Sequence, residues 1–208
     1  MSLRTGNILQ PWRHDAATRH LWRRSICPCL MICALLTHVV ARVSCAAEEN
    51  SAGEYELKAA ILYNLVKFVE WPPSAYPGAH SPTVLCVLGW DPFGTSLTSL
   101  VSDKSIDGRT VQVRYLKNTD KARGCQILYI SPSERRRVPQ ILSDLKASSV
   151  LTVGESGDFA ARGGMVELSL YDKRVVMEIN VDAASRGNVK ISSRLLALAR
   201  IVKDENEN

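Results

Sequence analysis

The run Thr83-Val84-Leu85-Cys86-Val87-Leu88 constrains this 208-residue chain more than any other feature, because it is apolar almost from end to end. A strand with no polar face has to be covered on both sides, which is the situation of a strand inside a parallel sheet. Cys125 to Ile130 has the same character, and Val150 to Val153 is a shorter version. Between these runs the pattern changes to that of helices. Glu54 to Glu70 carries Leu57, Ile61, Leu65 and Phe68 at helical spacing, with Ala60, Val66 and Val69 beside them, and Trp71-Pro72-Pro73 ends it.

The remaining elements follow in order. Gly89-Trp90-Asp91-Pro92-Phe93-Gly94 is a turn leading into a helix through Leu97, Leu100 and Val101. Asp107-Gly108 precedes a strand, Val111 to Leu116, in which Val111, Val113 and Tyr115 alternate with polar residues. Ser131-Pro132-Ser133-Glu134 has the form of a capping box, with Ser131 at the N-cap and Glu134 reaching back, so a helix is expected toward Ala147 with a bend at Pro139. Met165 to Leu170 and Arg174 to Val181 flank Tyr171-Asp172-Lys173 and read as a hairpin. A last helix is expected from Ser192 to Val202, followed by a fraying acidic tail, Asp204 to Asn208. This order predicts an α/β layered sandwich, helices on both faces of a mostly parallel, doubly wound sheet that ends in an antiparallel hairpin. With the early strands in the order 2-1-3, the strand of Cys86 lies beside that of Cys125.

Charge separates the chain into two parts. Six of its 26 basic residues and one of its 21 acids, Asp15, lie in Met1 to Ala46, leaving 20 of each sign in residues 47–208. A neutral body has no net attraction for nucleic acid, so DNA and RNA binding are disfavoured. Arg13, Arg19, Arg23 and Arg24 precede an apolar run from Ile26 to Val40, and small residues follow around Ser44-Cys45-Ala46-Ala47. This is the form of a secretory signal peptide. The run is about 15 residues long, short of the roughly 20 that a membrane-crossing helix needs. Residues 47–208 are expected to form a single domain.

Export also limits the chemistry. Four of the six Cys and three of the four His lie in the leader, and only Cys86, Cys125 and His80 remain. In an oxidising compartment such a pair reads as one disulfide, with two buried free thiols as the alternative. A single His in a polar loop supplies neither a Ser-His-Asp triad nor a zinc site. No catalytic residue, metal ligand or cofactor is expected, and an exported hydrolase is disfavoured. Gly89 to Gly94 lacks the Lys-Ser or Lys-Thr of a phosphate loop and reads as a structural turn. Trp90 and Asp91 stand where a doubly wound sheet places ligands, at the C-terminal ends of its strands, which makes them possible ligand-binding residues. Arg135-Arg136-Arg137 reads as a solvated helix face. Glu155 and Asp158 read as solvated loop acids, and Gly163-Gly164 as a backbone device for entering the next strand.

Blocks of residues, in order over residues 54–202, resemble the YfiR-like family of exported regulators. They are Tyr55-Glu56-Leu57-Lys58-Ala59-Ala60, Phe68-Val69-Glu70-Trp71-Pro72, Cys86-Val87-Leu88-Gly89, Asp91-Pro92-Phe93-Gly94, Cys125-Gln126-Ile127-Leu128-Tyr129-Ile130-Ser131, Leu151-Thr152-Val153-Gly154, Gly163-Gly164-Met165-Val166 and Ile191-Ser192-Ser193-Arg194-Leu195-Leu196. The resemblance implies a periplasmic α/β protein that binds the periplasmic region of an inner-membrane diguanylate cyclase and holds it inactive, lowering cyclic di-GMP and biofilm formation. It also implies a homodimer and an outer-membrane-associated partner that sequesters the regulator. Cys86 and Cys125 fall where the family has a disulfide. The second cysteine pair of some members, around the Gly-rich segment, is missing between Val150 and Gly164, so redox control through it is not expected. Binding without chemistry calls for an exposed apolar patch, and Phe159, Tyr171 and Met177 are the expected partner-binding residues. A periplasmic small-molecule sensor or solute-binding domain is the alternative.

Overall fold

The computed structural model describes residues 52–204, all within one compact unit. The leader expected at Met1 to Ala46 and most of the acidic tail lie outside the described residues.

The chain begins with a helix over residues 52–68 (α1). Its buried stripe is Lys58, Ala59, Leu62, Leu65 and Val66, running on to Val69, and Leu57 lies half in solvent. The stripe is therefore turned by one residue from the expected one, and Lys58 goes inside in place of Leu57. The proline pair stops the helix as expected. Val69–Glu70 (β1) then pairs antiparallel with Lys190–Ile191 (β9).

The other strands form one eight-stranded sheet. They are β2 Thr83–Leu88, β3 Ser105–Ile106, β4 Arg109–Leu116, β5 Ile127–Ile130, β6 Leu151–Gly154, β7 Val166–Tyr171, β8 Arg174–Asn180 and β10 Arg200–Val202. Their spatial order is β10-β8-β7-β6-β5-β2-β4-β3. Strands β4, β2, β5, β6 and β7 are parallel, β3 runs antiparallel to β4, and β8 runs antiparallel to β7. The architecture is the α/β sandwich predicted, and the first strands take the 2-1-3 order.

Every residue of β2, β5 and β6 is buried. Alternation along β2 sends Leu85 and Val87 into one core, with α1 and α2 (Thr95–Val101), and Val84, Cys86 and Leu88 into the other, with α3 (Val138–Asp144). Each fully buried aliphatic side chain in such a core contributes about 1.5–3 kcal/mol. Buried Gln126 joins three segments. Its Oε1 accepts from Val84 N (2.7 Å), its Nε2 donates to the Ala75 carbonyl (2.6 Å), and its own carbonyl accepts from Trp71 Nε1 (3.0 Å).

Cys86 and Cys125 form a disulfide, with their Cα atoms 5.9 Å apart. Cys125 is not in β5. It ends the 3-10 turn Ala122–Gly124, so the bridge fastens β2 to the crossover packed on its face, not strand to strand.

Three local expectations need correction. Ser131 accepts from Ser133 N as a cap, but its own N–H donates to the Leu88 carbonyl (3.0 Å). Glu134 therefore has no donor to reach back to and pairs with Arg137 at 2.8 Å. The segment Pro132–Arg137 is a 3-10 helix, and Pro139 falls in the first turn of α3, where its missing N–H costs nothing. Second, the hairpin's return strand stops at Asn180, whose side chain accepts from Ala183 N (2.8 Å) and starts α4, Val181–Arg186. Third, the expected helix from Ser192 to Val202 is only one turn, α5 (Ser193–Leu196), after which Arg200–Val202 joins the sheet parallel to β8. A continued helix would leave the outer edge of β8 unpaired, and the β-branched pair Ile201-Val202 suits a strand.

The hairpin itself is sharp. Tyr171 pairs with Arg174 across a two-residue turn, Asp172-Lys173, with φ of 47° and 59°. These are the left-handed angles of the turn whose twist matches a two-stranded ribbon.

Closing a 39-residue separation is worth about 4 kcal/mol in the chain-entropy model. Cys125→Ala is expected to lower the melting temperature of the oxidised protein by about 10 °C. Calorimetry with and without reductant checks this, because the difference from wild type should shrink once the wild-type bridge is reduced.

Candidate functional site

Three places combine exposure or charge with a rigid support. The first is the C-terminal edge of the central strands. Trp90, just after β2, is 68% exposed, and its backbone N–H donates to Ser133 Oγ at 2.9 Å. Asp91 beside it is half-buried and accepts from Phe93 N at 2.9 Å, which closes the turn on itself. Burial, with the Asp91 charge and a hydrogen bond to Asp91, raises the Tyr115 phenol above its ordinary range. Asp91 is thus engaged in shaping the edge, and the Trp90 indole projects from it.

The second place lies behind that edge. Lys58 on α1 is almost fully buried and pairs with Glu54, 2.5 Å away, and with Glu155, one residue past β6. Tyr55 donates to Glu155 Oε1 at 3.1 Å, and the buried Tyr129 of β5 donates to the same oxygen. Phe93 packs edge-on against both rings, with centroids 5.7 Å from Tyr55 and 4.7 Å from Tyr129. Burial first, then the Glu155 charge and its hydrogen bond, push both phenols well above their ordinary range. Both tyrosines therefore stay protonated as donors. The cluster ties α1, the β2–α2 turn, β5 and β6 together, and it holds geometry without activating a nucleophile. Glu155 is not the solvated loop acid expected, and it does not pair with Asp158, which is exposed at φ 65°. The signal that was available is Tyr-x-x-Lys on the buried side of α1.

The third place is the β7–β8 hairpin. Leu170 and Tyr171 are 47% and 75% exposed. Leu168 lies opposite Met177 and Leu170 opposite Val175, so Leu170, Val175 and Met177 share one face. Tyr171, by the same alternation, stands on the other face. Met177 is half-buried and leans on the core. The expected trio is therefore not one patch. Phe159 leaves it altogether: it is 1% exposed and fills a slot between Gly154 and Gly164, where a Cβ on either glycine would come within 2.6 and 2.2 Å of its ring. The glycine pair thus has two separate duties, a left-handed angle at Gly163 (φ 97°) and room for Phe159 at Gly164.

Buried under the hairpin's base, Glu167 accepts from Ala160 N at 3.1 Å. Desolvation raises its carboxyl above the ordinary value near 4.5, with the Glu178 and Asp158 charges adding to the rise and the backbone donors opposing it.

No group of His, Cys, Asp and Glu able to hold a metal ion occurs among the described residues, and no described helix is long and apolar enough to cross a membrane.

Two outcomes follow. Lys58→Met leaves two partly buried carboxylates facing the tyrosines without a cation and is expected to cost about 3–5 kcal/mol, measured by urea unfolding at pH 7. An acid with a raised folded-state value binds its proton more tightly when folded. Its ionisation therefore weakens the fold as pH rises from 4.5 through the folded value. The stability difference between wild type and Glu167→Gln should accordingly move against wild type across that window and stay constant below it.

Comparison with known proteins adds the following. None of the curated proteins matches the sequence. Among solved structures, one match is the ABC domain in complex with L-Trp from Streptococcus pneumonia, at 10% identity and a TM-score of 0.42, covering 58% of this chain and 55% of that one. This chain thus spans about half the length of that structure. The YfiR/HmsC-like family model matches residues 55–200, most of the chain and nearly all of the described fold. On that match the chain belongs to the YfiR/HmsC-like family, a family of periplasmic regulatory proteins in the diguanylate cyclase pathway.

Proposed function

We propose that this chain is exported to the periplasm, where it binds the periplasmic region of an inner-membrane diguanylate cyclase and holds the enzyme inactive, which lowers cyclic di-GMP and biofilm formation. The family supports the pathway. The observation that carries the contact is the β7–β8 hairpin, with Leu170 and Tyr171 exposed on a ribbon whose sharp turn and core-packed base keep it rigid. A binder that traps one state of its target needs a differential affinity for that state, and a rigid ribbon supplies it without reorganising. Leu170 and Met177 offer one face to the cyclase, and Tyr171 offers the other. Trp90 and Asp91 at the sheet edge form a second contact. An outer-membrane-associated protein that competes for the hairpin would relieve the inhibition, and a homodimer would present two hairpins.

Affinity capture from envelope extract tests this reading. The wild-type protein is expected to bring down a membrane cyclase, and Leu170→Asp and Tyr171→Asp are each expected to reduce capture at least about tenfold, the loss of about 1.4 kcal/mol of binding. Both side chains are exposed, so the melting temperature should not change. Undiminished capture by both variants would remove the hairpin from the interface.

A further inference from the structure

At the end of the sheet opposite Trp90, a cavity of about 480 Å³ opens between α3, the start of β7 and α4. That is within the size range of small-molecule sites. Its apolar wall includes Leu142 of α3 and Met165, and its polar wall holds three cations, Lys146, Arg162 and Arg186, against one acid, Asp204.

Asp204 shows what this wall accepts. Its carboxylate takes a hydrogen bond from the side-chain amide of Asn180, which is completely buried, and an ion pair from Arg186. Asn180 is fixed in turn, because its amide also donates to the Ala160 carbonyl at 2.8 Å and its oxygen caps α4. A carboxylate therefore already sits against a built, rigid pair of donors, supplied by the chain's own segment after β10. Arg186 and Asp204 balance each other. Lys146 and Arg162 are exposed and have no ion-pair partner among the described residues, so the cavity keeps two positive charges beside a hydrocarbon wall.

We propose that this cavity binds a small dicarboxylate with a short methylene body. Lys146 and Arg162 hold its two carboxylates, Leu142 and Met165 cover its carbon chain, and Asp204 acts as a tethered acid that weakens its binding. Two cations without an ion-pair partner among the described residues call for two negative charges, and the apolar wall calls for carbon between them. A guanidinium pairs with a planar carboxylate through two parallel hydrogen bonds, which gives the site direction as well as charge. The site lies away from the hairpin and the Trp90 edge, so it stands or falls independently of the cyclase reading.

Glutarate is the probe, with inorganic phosphate as charge without carbon and pentane-1,5-diol as carbon without charge. Titration followed by calorimetry and by the Met165 methyl resonance is expected to show glutarate binding, phosphate at least about tenfold weaker, and no response to the diol. The double variant Lys146→Gln/Arg162→Gln, altered only at exposed positions, should lose at least about tenfold in glutarate affinity with an unchanged melting temperature, since it removes both charge-assisted hydrogen-bond donors. Asp204→Asn should bind glutarate several-fold more tightly. The proposal is overturned if glutarate leaves the Met165 methyl unmoved, if phosphate binds as well as glutarate, or if either variant binds like wild type.

Discussion

Burial of the central strands on both faces governs the rest of this molecule. With β2, β5 and β6 carrying no exposed residue, neither side of the sheet can remain bare, and every crossover has to serve as a roof. Helix α1 covers one side and α3 the other. The disulfide then holds the crossover between β4 and β5 against the same face that α3 covers. The bridge therefore secures a connection, and the strands hold one another through their own ladder.

The position of Lys58 follows from the same constraint. For α1 to bring Leu62, Leu65 and Val66 onto the sheet, the residue one turn earlier on that stripe must also enter, and in this sequence it is a lysine. An ammonium group inside a protein is tolerated only with partners. Glu155 and Glu54 supply the charge, and Tyr55 and Tyr129 complete the coordination of Glu155. No buried side-chain nitrogen or oxygen among the described residues lacks a partner. A helix face chosen by its apolar residues has thus drawn a polar cluster into the sheet's C-terminal edge, beside the turn that presents Trp90.

Where the sequence carried a strong local pattern, it was readable. The apolar run of β2, the stop at Trp71-Pro72-Pro73, the order of the first strands and the hairpin around Asp172-Lys173 all correspond to the structure. The misreadings occur where a tertiary partner decides. Leu57 and Lys58 are neighbours on a helix, and only the sheet beneath determines which one turns inward. Ser131 has the spacing of a capping box, but Leu88 takes its N–H. The last segment has helical spacing, yet the unpaired edge of β8 draws Arg200–Val202 into a strand. Phe159 sits among glycines and small polar residues and reads as a loop aromatic, because the slot that it fills is built by two distant glycines, one ending β6 and one in the segment before β7. The candidate site was less legible than the fold for the same reason. Alternation identified the hairpin, but the cross-strand register was needed to show that Tyr171 and Met177 stand on opposite faces.

Strand β10 has one more consequence. It forms the rim of the sheet, yet it comes from almost the last described residues, after every strand that it protects. During synthesis, β8 is therefore available before its cover arrives, and its bare hydrogen-bonding flank can recruit a foreign segment in the interval.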